Sequence, residues 1–431
     1  MTRTRRSSIR FLVFAAVLAA GLAAACGGGA KEEKPAAGLS GELEIFSWWT
    51  TGGEAAGLQA LYNLYPNACP GNVKIVNATV AGGAGFNARQ VLTTRMLGGD
   101  PPGSFQVHMG HELTDTWVTT NYMEPLTSLY QQEGWASVFP KGVVDIVSYN
   151  GERYSVPVNI HRANVLWYNK KVFQQNNLTP PTTFDEFFQV ADALQAKGIT
   201  PLALGDNGIW ASVQIMETVL LGSLGPERYS GLWTGTTDWK GPQVTQALDT
   251  FKRMLSYVNS DHSSLSWDQA NALVIQGKAA MTIMGDWAHG DNKAKNFADE
   301  GWVPAPGTAG MYDALSDTFG LPKNAPNRDA VMCWLKVVGS KEGQEAFNTQ
   351  KGSICARNDC DAALFDTYLQ SAMKDWQANT IVPSLAHGAA ASPGWVTEIN
   401  DAATVFVTDK NVSAYQARLA AACVNAKVCK S

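Results

Sequence analysis

The chain has 431 residues, 45% hydrophobic and 16% charged, which allows a sizeable buried core and length for two lobes. A net charge of −5 with no basic stripe argues against nucleic acid as a partner. The 14 tryptophans are more than a core needs, and the surplus points to a surface that uses flat apolar faces.

The arginine-rich start MTRTRRSSIR precedes an apolar run from Phe11 to Ala25. That run falls short of the about 20 apolar residues that span a bilayer and has the form of a signal peptide. It ends LAAAC at Cys26, before GGG and a polar KEEKP stretch. This resembles a bacterial lipoprotein processing site and marks Cys26 for lipidation and membrane anchoring. Thr4, Arg5 and Arg6 form a partial twin-arginine signal, so the export route stays open. Residues 27–40 read as a flexible tether.

Elements then alternate: a strand over 43–46, a helix near 55–65, a strand over 73–77, a helix near 87–97 and a strand over 105–108. Strands alternating with helices predict parallel sheets of α/β type. TTFDEFFQVADALQAKG is an amphipathic helix with Thr183 as its N-cap, and the chain beyond it is helix-rich. Without Cys26, six cysteines remain: Cys69, Cys333, Cys355, Cys360, Cys423 and Cys429. An even number in an exported chain favours disulfides, although six cysteines allow 15 pairings. Cys355 with Cys360 and Cys423 with Cys429 are the nearest pairs. With no CxxC, a zinc site has little support.

The first strand ends in EIFSWWTTGGE, two adjacent tryptophans and a carboxylate. Neighbours on an extended chain face opposite ways, so Trp48 and Trp49 are expected to divide between ligand and packing. Ligands of open α/β sheets collect at the carboxyl ends of strands, where Trp48, Trp49 and Glu54 stand, and where Gln106 and His108 end SFQVH. A sugar ring stacks its C–H face on aromatics while its hydroxyls donate and accept hydrogen bonds. Groupings that suit both needs recur: Asn159 and His161 in VNIHR, Trp267 in LSWDQ, Asp286 and Trp287 in MGDW. Asp317, Lys351 and His387 continue them. Singly, each has an ordinary structural reading, Trp287 as core and Asp317 as a turn or cap.

Other chemistries fare worse. The His108, His111 and Glu112 cluster has poor spacing for one metal-binding face. GGAGFNAR lacks the spacing of a phosphate loop, and no G-x-S-x-G elbow occurs. Glu54, Glu217, Asp286 and Asp317 could supply a glycosidase pair, which needs carboxyls about 5–10 Å apart. A secreted glycoside hydrolase and a carbohydrate-binding adhesion module are the rival readings.

LEIFSWW, VNATVAGGAGFNARQVLTTRMLGGDPP, FQVHMG, YSVPVNIHRANVLWYN, GKAAMTIMGDWA, LSDTFGLPK and SLAHGAA run through nearly the whole mature chain. With them the sequence resembles the sugar-binding solute receptors of bacterial ABC transporters, and more narrowly the glucose/galactose/mannose-binding group. The resemblance implies an α/β, two-lobed, type II periplasmic-binding-protein-like fold with a hinge and an inter-lobe cleft. Residues 41–159 with 310–330 are expected to form the first lobe, and 160–309 with 331–431 the second. Chain crossings are expected at 159–162 and 308–313, with a return over 321–330. The resemblance further implies that Trp267 and Trp287 hold a pyranose ring, Trp48 and Trp49 line the cleft, and Glu54, Gln106 and His108 bind hydroxyls. Asp317, Lys351 and His387 add polar contacts, with Asn159 and His161 beside them. It implies a monomeric receptor that uses no cofactor or metal, catalyses no reaction and delivers a monosaccharide to membrane permease subunits.

Overall fold

The computed structural model describes residues 38–430; the signal peptide, Cys26 and most of the expected tether lie outside the described residues. Two sheets organise the chain. The first has five strands in the order Gly71–Thr79, Leu39–Ser47, Ser104–His108, Asp317–Gly320 and Ser155–Pro157. The second has four, in the order Glu300–Pro304, Val165–Asn169, Ala279–Met284 and Thr200–Leu202. A third joins Thr380–Pro383, Met311–Leu315 and His161–Arg162.

Local chemistry explains the first elements. Leu43 and Ile45 point into the core while Glu42 and Glu44 alternate outward, and Glu44 takes a bidentate pair from Arg95 at 2.7 and 2.8 Å. The strand expected over 43–46 is longer, Leu39–Ser47, because it pairs along its whole length with Gly71–Thr79. Thr183 caps the helix Phe184–Gln195 in a capping box: its hydroxyl accepts from Glu186 N–H while the Glu186 carboxylate accepts from Thr183 N–H.

The sheets are mixed, which corrects the expectation of parallel pairing throughout. Asp317–Gly320 runs antiparallel to both of its neighbours, and Val165–Asn169 does the same in the second sheet. Each is a strand that follows a crossing and so enters its sheet against the local direction. One crossing occupies 158–160. The other is at Ser316, later than the expected 308–313, because Met311–Leu315 still pairs with Thr380–Pro383. The two touch: Val158 N–H donates to Asp317 O at 3.0 Å. The helix Arg328–Gly339 packs on the first sheet, where Trp334 meets Phe319 edge-on at 5.4 Å. The boundary expected at 330/331 would cut through this helix.

Among the described residues three disulfides close the chain: Cys355–Cys360, Cys423–Cys429 and the long-range Cys69–Cys333. The two short ones are the nearest pairs in sequence. Among the described residues no helix is long and apolar enough to cross a membrane.

A buried histidine joins the second sheet to the chain beyond it. His289 lies flat against Trp167, with ring centroids 5.9 Å apart. Its Nδ1 meets Glu300 at 2.8 Å and its Nε2 meets Asp366 at 2.9 Å. Burial alone would lower its pKa, but the hydrogen bonds it donates to the two carboxylates outweigh burial and push it up to about 9. A folded-state pKa above the ordinary value stabilises the fold fully below about 6.5, and that contribution is lost as pH rises through about 9. Unfolding free energy by urea titration is therefore expected to fall across this window, and His289→Asn is expected to flatten the fall. An equally steep profile in the variant would remove His289 as its source.

Candidate functional site

Five tryptophans line one cavity, and three of them open helices. Trp210, Trp267 and Trp287 each hold the first helical position, in Trp210–Thr234, Trp267–Ile275 and Trp287–Ala294. Residues at helix starts stand off the packed helical stripe and reach the cavity wall. Ser266 fixes the start at Trp267 through a capping box with Gln269. Ahead of Trp210 the chain bends at Ile209, a β-branched residue held at φ 63°, which carries backbone strain. Trp210 was not singled out from sequence. Its position at a helix start, shared with Trp267 and Trp287, is the signal that would have found it.

Trp48 is the fourth and Trp49 the fifth, side by side in the wall. The alternation rule does not divide them, because the strand ends at Ser47. Both are buried and both line the cavity. Trp48 leans on His108 at 5.0 Å between ring centroids. Trp49 packs against Phe347 at 5.0 Å and Phe319 at 5.8 Å. A glycine-rich loop covers this wall. A Cβ on Gly85 would approach the Trp48 ring to 2.8 Å, and one on Gly83 would approach Trp210 Nε1 to 2.8 Å. The backbone therefore lies flat on two indoles, with Ala84 between them facing the cavity.

Asp317, the first residue of its strand, is the central acid. Its carboxylate accepts from Gln106 Nε2 at 2.7 Å and Asn159 Nδ2 at 2.9 Å, and its N–H donates to Asn159 Oδ1 at 2.8 Å. Burial alone would raise its pKa. His161, whose Nε2 lies 3.4 Å from the carboxylate, and the nearby His108 and Lys351 charges outweigh burial and hold the acid well below the usual carboxylate range. Gln106 and Asn159, expected to touch ligand, stand behind Asp317 and do not line the cavity. They orient it, and Gln106 also accepts the Trp48 N–H at 3.1 Å.

The remaining polar groups come in buried pairs. Lys351 Nζ bonds Glu54 at 3.0 Å and lies 5.6 and 5.7 Å from the Trp49 and Trp287 ring centroids. Burial raises the Glu54 carboxyl against the pull of Lys351. His161 Nδ1 bonds Asp286, whose other oxygen accepts Arg162 N–H at 3.1 Å. Burial and Lys351 oppose its protonation, but Asp286 and Asp317 raise its pKa overall. His108 Nδ1 bonds Glu112 at 2.8 Å; Arg89 lies 3.2 Å from the same oxygen and donates to Ala84 O at 2.6 Å, so Arg89 ties the covering loop to His108. His387 presents Nε2 with no protein partner. His111 turns away to Asp115. Among the described residues no group of three or more ligands could hold a metal ion.

Two of the four carboxylates considered for hydrolysis do not reach the cavity: Asp286 stands behind His161 and Glu217 behind His387. The free space is about 20 Å³, room for about one water.

The family model described as bacterial extracellular solute-binding protein matches residues 49–345. An uncharacterized ABC transporter extracellular-binding protein from Pyrococcus horikoshii is 38% identical over 379 residues, covering 86% of this chain and 85% of that protein. A probable sugar-binding periplasmic protein from Mesorhizobium japonicum is 32% identical over 376 residues, covering 85% of this chain and 89% of that one. Among solved structures, the bacterial solute receptor AcbH, described with an exclusive substrate preference for β-D-galactopyranose, superposes with a TM-score of 0.79. It is 19% identical and covers 90% of this chain and 98% of its own. At that identity the likeness carries the fold, which is two-lobed and mixed α/β.

Proposed function

This chain belongs to the family of bacterial extracellular solute-binding proteins, and from that premise we propose that it captures a monosaccharide for an ABC importer. Glucose is the first candidate, with galactose and mannose behind it. The observation that carries the reading is the convergence of indole faces with an ionised acid, a lysine and three histidines in one cavity. Apolar faces suit a pyranose ring, and the fixed donors and acceptors suit its hydroxyls. We assign Trp48, Trp49, Glu54, His108, His161, Trp267, Trp287, Asp317, Lys351 and His387 to ligand contact, add Trp210, and give Gln106 and Asn159 the orientation of Asp317.

With about 20 Å³ free, a sugar ring enters only when the walls part. Adjacent crossings at 158–160 and Ser316 suit a hinge that opens the cleft and closes it again. Following sheet membership, the first lobe is 41–159 with 316–351, and the second is 160–315 with most of the chain after 366. Closure hides the ligand from water and creates the shape that permease subunits engage. The test is overnight incubation with aryl-glycosides and with free monosaccharides. A receptor retains a monosaccharide and returns it unchanged, whereas released aglycone would establish the hydrolase reading instead.

The family is extracellular, which places this chain outside the cytoplasm. We read Cys26 as the lipidated N-terminus that holds it at the membrane face. Cys26→Ser is expected to move the protein from the membrane fraction to the soluble fraction. An unchanged fractionation would contradict the anchor.

A further inference from the structure

The loop that carries His387 is held by a carboxylate outside the cavity wall. Glu217, on the helix Trp210–Thr234, is fully buried. Its Oε2 accepts the N–H groups of Leu385 at 2.6 Å and Ala386 at 3.0 Å, and its Oε1 accepts the Ser384 hydroxyl at 2.9 Å. The Tyr229 hydroxyl lies 3.5 Å from Oε2 and donates to Pro383 O at 3.1 Å. Ser384 Oγ is also 2.9 Å from His387 Nδ1. Against Glu217 stands Asp313, equally buried, whose two carboxyl oxygens meet no protein donor.

The two carboxyls lie near enough to govern each other's protonation, and a buried pair so placed holds a proton between them. Donor count decides where it sits. Glu217 has three short donors and Asp313 has none, so Asp313 keeps the proton and donates it to Glu217. Burial lifts both carboxyls. Ser384 has one hydroxyl hydrogen, and an anionic Glu217 takes it. The Ser384 lone pair then faces His387 Nδ1, which must carry a proton to bond it. Burial, with His108 and His161 adding to it, keeps His387 well below its ordinary pKa, so the ring is neutral and has a single N–H. Its Nε2 is left bare, buried and without a protein partner, in a ring that lines the cavity.

We infer that Glu217, acting through Ser384, locks His387 in the Nδ1–H tautomer, so that the cavity meets an acceptor at this point and never a donor. Glu217 and Ser384 are thus positioning residues that set ligand polarity. Resting on the sugar reading above, the ligand must bring a hydroxyl hydrogen to Nε2, and a sugar methylated at that oxygen binds less well.

The test is nitrogen NMR of isotope-labelled histidine at about pH 8, with the His387 signals assigned by their loss in His387→Asn. The native protein is expected to show a protonated Nδ1 and a bare Nε2. In Glu217→Gln the amide oxygen faces the Leu385 and Ala386 N–H groups, so its NH₂ donates to Ser384. The serine hydrogen then turns to Nδ1, and the histidine proton moves to Nε2. Reversal of the tautomer is expected, with monosaccharide affinity lowered about ten- to a hundredfold. Should that variant not fold, Ser384→Ala decides: it breaks the relay while leaving the Leu385 and Ala386 anchors, and a mixed tautomer is expected. A native Nε2–H tautomer, or an Nδ1–H tautomer unchanged in both variants, overturns the inference. The tautomer needs no ligand for its measurement. If it behaves as expected and no sugar binds, the sugar reading falls and the positioning role stands.

Discussion

Trp287→Ala is expected to weaken monosaccharide binding by about 30- to 1000-fold while costing less stability than loss of an enclosed tryptophan. The indole forms one wall of the cavity, edge-on to His161 at 5.2 Å and to His387 at 5.1 Å, with Lys351 5.7 Å from its centroid. It rests on Gly285, where any Cβ would come within 2.2 Å of the ring. Removing it takes away the flat face offered to a pyranose and frees two histidines and a lysine to move. Stacking beyond area burial is worth about 0.5–1.5 kcal/mol. With the buried area added, a loss of about 2–4 kcal/mol corresponds to that fold-change. Trp334 is the control: it is fully enclosed between Tyr62 and Phe319, away from the cavity. Trp334→Ala is expected to cost about 3–5 kcal/mol of stability with little change in affinity among molecules that fold. Sugar titration beside thermal melting separates the two. If Trp287→Ala binds normally and melts as low as Trp334→Ala, Trp287 is core and the site is misplaced.

Loss of the Cys69–Cys333 disulfide is expected to lower stability by about 4–5 kcal/mol, more than loss of either short bridge. The bond spans 264 residues, whereas the other two span 5 and 6. In the chain-entropy picture the restriction on the unfolded chain grows with loop length, and the shortest loops are worth only about 2 kcal/mol. The bridge ties the end of the helix Gly52–Ala68 to Arg328–Gly339, both packed with the first sheet. It does not touch the cavity. Denaturant midpoints for Cys69→Ser/Cys333→Ser are therefore expected to fall steeply while sugar affinity at low denaturant is kept. A loss of affinity equal to that of Trp287→Ala would mean that the bridge shapes the cleft.

Local patterns were readable and long-range ones were not. The first five elements follow from alternation and helical periodicity, and Thr183 with Glu186 announces a helix start in four residues. The nearest cysteine pairs follow from short separation, but Cys69–Cys333 depends on two helices meeting on one sheet. Direction in the sheets was hidden for the same reason: nothing near Asp317 says that its strand must run antiparallel to both neighbours. In the site, residue chemistry identified most of the wall. It did not separate Gln106 and Asn159, which hold Asp317 from behind, from His108, which reaches the cavity. Trp210 escaped because one tryptophan after a turn is unremarkable until Trp267 and Trp287 are seen to begin helices too. The strand rule failed at Trp48 and Trp49 because the strand stops one residue earlier.

The cavity is expected to close on a single sugar ring. Isothermal titration of the processed chain with glucose, galactose and mannose decides this. The expected result is saturable heat for at least one of them at one site per chain. Binding should be weakened by Asp317→Asn, which removes the ionised acceptor while keeping its shape. No heat with any of the three, alongside tight binding of a larger saccharide or release of a hydrolysed product, would contradict it.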